Sequence, residues 1–211
     1  MPPVLAVAVA AAPVAEVQGT WYRHVGVRWA HAALTGRAVP GRWCSGGYPT
    51  LYLASTVDSA VIEFYRHTID VFVDAADRDA AIAGVNFDPR LLVTAEVRAT
   101  RLLDLRSPRA RLELGLPLEV LLSDTDDRGS YARCQEVASA AHQLQLHGVI
   151  TPAATRAGDT LALFTDVLPA AERPTRDGDL DKLWSTVPLD PRAISPRRLR
   201  VVHDSDGSSR P

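Results

Sequence analysis

Cysteine is scarce in this chain: its 211 residues hold only Cys44 and Cys134. Two thiols complete no zinc site by themselves and build no disulfide framework. Neither lies in a Cys-x-x-Cys pair, so redox chemistry has little support and a reducing cytoplasm is the expected setting. Pairing between the two stays open. Positive charge is not in excess either. Lys and Arg number 23 against 25 Asp and Glu, for a net charge of −2. That balance does not point to direct nucleic-acid binding or to an anionic membrane. The run Arg197-Arg198-Leu199-Arg200 reads as a solvated flank. Long apolar runs are missing as well. The alanine-rich stretch 4–15 falls short of the ~20 residues needed to cross a bilayer. It lacks a basic segment ahead of it, and Pro2, Pro3 and Pro13 interrupt it. Residues 1–18 are therefore expected to form a flexible leader, loosely ordered or docked on the surface, rather than a signal peptide.

Several catalytic signatures are absent too. The six histidines show no His-Glu-x-x-His or other clustered spacing, so no metal is expected. His142 and His147 read as a solvated helix end. There is no Gly-x-Gly-x-x-Gly, no Gly-Lys-Ser/Thr phosphate loop, and no nucleophile elbow around Ser45 or Ser139.

With 46% hydrophobic residues, the chain can bury one sizeable core, and one domain with a tail is expected. Residues 20–27 read as a first strand, with Trp21, Arg23 and Val25 on one face. A short helix follows at 28–34, then a glycine-rich loop to Tyr48 and a strand at 51–54. Ser55 or Thr56 can cap the next helix, where Val57, Ala60, Val61 and Phe64 form a core-facing stripe. The alternation over 91–97 predicts a half-buried strand, with a separate short strand at 102–105. A helical turn or two is expected at 109–114 and a charged loop at 124–129. Ser130 is expected to cap a helix carrying Cys134, Val137, Ala138 and Ala141. Two strands, at 149–150 and 161–164, flank a turn. Beyond Pro169 the chain is rich in Pro, Arg and Asp; Trp184 and Leu189 are candidates to dock on the domain, and 204–211 is expected to be disordered.

The most informative stretch joins Gly41-Arg42-Trp43, the strand residues Leu51-Tyr52-Leu53-Ala54, and Glu63 on the following helix. Arginine offers a planar fork of donors suited to pyrophosphate, and glycine lets backbone approach closely. A tyrosine ring can stack on nicotinamide or adenine. A carboxylate can stabilise positive charge developing on a ribosyl carbon. Arg23 adds a charge in an otherwise apolar strand, which is costly unless it is paired or faces a ligand. Alone, each has an ordinary explanation: a surface arginine, a core aromatic, an exposed helix glutamate beside His67, a solvated edge strand.

Together these residues stand in a known order. The chain resembles the RES-domain family, whose members act as toxins in bacterial toxin–antitoxin pairs and whose fold resembles ADP-ribosyltransferases. Arg23 in Thr20-Trp21-Tyr22-Arg23, the Gly41-Arg42-Trp43 loop, Tyr52 and Glu63 with His67 beyond it are similar to the family's motif residues. Cys134-Gln135-Glu136-Val137-Ala138, Gly148-Val149-Ile150 and Leu161-Ala162-Leu163-Phe164 are similar to its later elements. One departure stands out. The family serine follows a proline after the later strand, and here Ala153 follows Pro152; Thr151 and Thr155 are the nearby hydroxyls.

The resemblance implies an α+β fold, with an ADP-ribosyltransferase-like mixed or antiparallel sheet core and flanking helices. It implies a RES domain over 19–168 and a partly disordered C-terminal extension over 169–211. It further implies NAD as the substrate, with Glu63, Tyr52 and Arg23 catalytic and Arg42, Trp43 and Ala153 completing the binding site. The expected activity is cleavage of the nicotinamide–ribose bond with depletion of NAD. Phosphate, water and a protein side chain stay open as acceptors. A cognate helix-turn-helix antitoxin of the Xre-like kind is the implied partner. The alternatives are protein ADP-ribosylation, or a non-catalytic NAD-binding protein in which Ala153 marks lost turnover.

Overall fold

A computed structural model describes residues 3–70, 80, 82–83, 87–123 and 128–193. Its spine is a long antiparallel ladder. Strand β1 (Val14–Gly26) runs beside β3 (Arg90–Asp104), with register from Val14↔Leu103 to Gly26↔Arg90. Strand β2 (Thr50–Ala54) meets β1 at Tyr22↔Ala54 and pairs antiparallel with β5 (Asp159–Phe164). Strand β4 (Gly148–Pro152) pairs antiparallel with β5 and returns to β3 in parallel. The path β1-β2-β5-β4-β3 thus closes on β1. Period-2 alternation then sorts side chains inside and outside. Trp21, Leu51, Leu53, Val97, Ile150, Leu161 and Leu163 fill the interior. Leu103, Val149, Ala162 and Phe164 face outward under α5 (Arg128–Gln143), which contributes Cys134, Val137, Ala138 and Ala141. This is a mixed α+β architecture, as expected.

Helix α2 (Val57–Thr68) forms as its sequence predicts. The Thr56 hydroxyl caps it by accepting from the Ser59 amide at 3.1 Å, and Ala60, Val61 and Phe64 are buried. Two short helices, α3 (Pro108–Glu113) and α4 (Leu118–Leu122), link β3 to α5.

Several boundaries differ from expectation. The leader is part of the fold: Pro3–Ala11 is helix α1, Val9 is 1% exposed against the α5 core, and β1 begins at Val14 rather than Thr20. Pro3 opens the helix, where proline is tolerated, and Pro13 lies between helix and strand, so neither interrupts it. The two strands expected at 91–97 and 102–105 are one. The register shift opposite Ala15 and Val17 places an extra residue on β3, and Arg101 at φ 51° absorbs it as a bulge. Ser130 lies inside α5 rather than at its cap. Most of the expected charged loop (124–127) and the tail at 204–211 lie outside the described residues. A domain end at 168 cuts the sheet, because β6 (Thr175–Arg176) and β7 (Lys182–Trp184) pair with the free edge of β3. Trp184 packs against α2, whereas Leu189 is 73% exposed.

Candidate active site

The cleft is bounded by strands β1, β2, β4 and β5, by α2 and by the loop through Gly41 and Arg42. Its volume is about 440 Å³. The register builds the floor. Tyr22 pairs with Ala54, Ala54 with Thr160, and Thr160 with Thr151, so one row crosses β1, β2, β5 and β4. Tyr52 belongs to the next row, beside Ala162. The walls come from α2 (Glu63, Arg66, His67), the loop through Gly41 and Arg42, and Leu121 and Tyr131 of α4 and α5. Arg23, Arg42, Trp43, Tyr52 and Glu63 therefore meet at one cavity, although they are spread over three elements and a loop.

Tyr52 holds that loop in place. Its hydroxyl accepts from the Trp43 amide at 2.9 Å, and burial pushes its ionisation upward, so it stays a neutral phenol. The loop comes so close that a Cβ on Gly41 would lie 2.9 Å from the Tyr52 oxygen, a distance side chains do not adopt. Reciprocal backbone bonds between Gly41 and Cys44 close the turn, and the Gln135 amide donates to the Gly41 carbonyl at 2.8 Å. Trp43 is 1% exposed within the core, so it anchors the loop from behind.

Arg42 is engaged by protein. Nη1 donates to the Val120 carbonyl at 2.8 Å and to Ser123 Oγ at 3.1 Å, and Nη2 donates to the Ser123 carbonyl at 2.7 Å. Its guanidinium lies 4.5 Å from the centre of the Tyr131 ring. This fork ties the loop to the end of α4, and the charge stays at the cleft wall.

Arg23 is held more lightly. Among the described residues its one direct bond runs from Nη1 to the Ala33 carbonyl at 3.1 Å. Burial, with Arg37 nearby, lowers its pKa to about 10. It remains a cation, and a partly desolvated cation with no carboxylate partner among the described residues favours an anion beside it. Its neighbour His24 is neutral, its pKa driven to about 3 by burial and by Arg90. Nδ1 accepts from Arg90 Nε at 3.0 Å, so the ring proton resides on Nε2. The ring stacks on Trp184 at 6.0 Å and meets Phe64 edge-on.

Glu63 and His67 stand one turn apart with Oε2 and Nε2 at 3.1 Å; their side chains are 33% and 54% exposed. Between them Arg66 donates to the Ala154 carbonyl at 2.8 Å and the Ser123 carbonyl at 3.2 Å. Glu63 thus faces the cleft from an arginine-braced helix. Among the described residues no group of three or more His, Cys, Asp or Glu is placed to hold a metal ion.

Comparison with known proteins gives the family. The RES domain profile matches residues 20–184. The chain belongs to the RES family. It is 31% identical over 186 residues to the NAD(+) phosphorylase MbcT of Mycobacterium tuberculosis, covering 83% of this chain and 85% of that protein. The Mycobacterium bovis MbcT is similar to the same extent. In fold it resembles the crystal structure of the M. tuberculosis MbcT–MbcA toxin–antitoxin complex, with a TM-score of 0.68 at 23% identity, over 86% of this chain and 92% of that one.

In this RES domain Ala153 does not reach the cleft. It is 1% exposed, it lies off the cleft wall, and its amide donates to the Gly158 carbonyl within the turn. Thr155 is committed elsewhere, sharing a 2.7 Å bond with Ser59. Thr151 and Thr160 do line the cleft. Sequence reading passed over His24, Arg66, Tyr131 and Thr160. His24 and Arg66 adjoin motif residues and could have been flagged by position. Tyr131 is far from Arg42 in sequence, and only the tertiary fold stacks the two.

Proposed function

We propose that this RES protein consumes NAD by breaking the bond between nicotinamide and ribose, and that it acts as the toxin of a toxin–antitoxin pair. The observation that carries the reading is the convergence of Arg23, Tyr52 and Glu63 on a single cavity of about 440 Å³, within the usual range for small-molecule sites. The similarity to MbcT supports NAD as the substrate.

The chemistry follows from the site. As the C–N bond breaks, its electron pair moves to the nicotinamide nitrogen and removes the ring's positive charge. The ribosyl carbon becomes oxocarbenium-like. The Glu63 carboxylate on the cleft wall stabilises that charge, a contribution that commonly reaches about 10²–10³ in rate for one well-placed group. Arg23, a desolvated cation, favours the pyrophosphate. Tyr52 offers its ring to the nicotinamide while its hydroxyl holds the loop. Arg42 acts through the loop it braces. Phosphate is the proposed acceptor, with water as the slower one, and the product keeps the ADP-ribosyl group. A helix-turn-helix antitoxin covers the cleft until release, and both proteins work in the cytoplasm.

The test is incubation of purified chain with NAD, with and without phosphate, and separation of products. The reading expects NAD loss, with a phosphorylated ADP-ribose formed only when phosphate is present. NAD binding without loss in either buffer would sink it.

A further inference from the structure

We propose that the paired threonines Thr151 and Thr160 form a hydroxyl subsite on the cleft floor that holds the carboxamide of the nicotinamide ring. This rests on the NAD reading above and goes beyond it by naming a residue pair for one part of the ligand. Thr151 and Thr160 are direct register partners on β4 and β5. Their side chains share a face, with Cβ atoms about 5 Å apart, and both line the cleft.

Thr151 is the telling member. It is 2% exposed, yet the contact its Oγ makes among the described residues is 3.4 Å, to the carbonyl of Pro152 next door. Hydroxyl bonds ordinarily fall near 2.7–2.8 Å. The buried hydroxyls of Ser59 and Thr155 share 2.7 Å, whereas that of Thr50, also 2% exposed, has no partner among the described residues but lies off the cleft. A buried hydroxyl without a good partner is unfavourable, and a ligand group at that spot relieves the cost.

The surroundings select the group. Ala54, Ala60 and Leu121 line the same cleft and suit a flat, uncharged ring. A carboxamide presents one acceptor oxygen and one donor nitrogen side by side, and each hydroxyl can donate or accept. Two adjacent hydroxyls can therefore satisfy both ends. Ala153 lies off the cleft wall, whereas Thr151 and Thr160 bring hydroxyls to it.

The experiment compares dissociation constants for NAD and for ADP-ribose, which lacks the nicotinamide, using the full chain. Thr151→Val keeps the branched shape and removes the hydroxyl. It should weaken NAD about tenfold, the scale of one lost hydrogen bond, while ADP-ribose binding stays as it was. Thr160→Val should act in the same direction. Thr151→Ser, which keeps a hydroxyl, should bind NAD like the unsubstituted chain. Equal losses for NAD and ADP-ribose would overturn the carboxamide assignment, and so would unchanged NAD binding in both valine variants. If the unsubstituted chain binds neither NAD nor ADP-ribose, the NAD reading itself fails, and the subsite with it.

Discussion

Removing one oxygen, in Tyr52→Phe, tests how the loop is held. The ring and its place on β2 are retained. What is lost is the acceptor for the Trp43 amide, 2.9 Å away, on a residue that is 1% exposed. A buried amide left without a partner costs about 1–3 kcal/mol. For a domain of this size each kcal/mol lowers Tm by about 2–4 °C, so a loss of about 2 kcal/mol corresponds to a fall of about 4–8 °C. Gly41→Ala attacks the same junction from the other side, because its new Cβ would meet the Tyr52 oxygen at 2.9 Å. In the double variant the clash disappears with the oxygen, so the two losses should be less than additive. Thermal melts of the three variants decide the matter. An unchanged Tm in Tyr52→Phe, or strict additivity in the double variant, would refute the latch.

Arg42→Lys should also destabilise, by about 1–3 kcal/mol, because an ammonium cannot span the Val120 and Ser123 acceptors as the guanidinium fork does; denaturant melts that match the unsubstituted chain would contradict this. His24 makes a pH prediction. Its pKa falls from 6.5 to about 3 on folding, so between those values the unfolded chain binds the extra proton and stability drops as pH falls. The slope from one such group is at most about 1.4 kcal/mol per pH unit. His24→Gln should remove that component from melts taken between pH 7 and pH 5; an identical pH slope in both proteins would show that His24 is not buried neutral.

The sheet and α2 were legible because their signals are local. Alternation marks β3 through Leu91, Val93, Ala95 and Val97, and the stripe from Val57 to Phe64 with the Thr56 cap marks the helix. What was hidden depends on distant partners. The short strands β6 and β7 have no periodicity of their own and exist because the edge of β3 is free. Leader residues read as loose because nothing local shows that α5 offers Val9 a surface. At the site, residue type singled out side chains that the fold brings to one cleft, but not the contacts that each makes there. Arg42 looked like a phosphate binder, and its donors went to Val120 and Ser123. Ala153 looked like a gap in the site, and the turn around Gly158 keeps it off the cleft wall.

The central claim is that Glu63 makes this cleft an NAD-cleaving site. The direct test is nicotinamide release from NAD by the purified chain and by Glu63→Ala, at matched concentration, with circular dichroism to confirm that both are folded. Glu63 is one-third exposed on a helix already held by Ala60, Val61 and Phe64, so the substitution should leave the fold intact. The account predicts release by the unsubstituted chain and a fall of about 10²–10³ in the variant. Full-rate release by Glu63→Ala would contradict it.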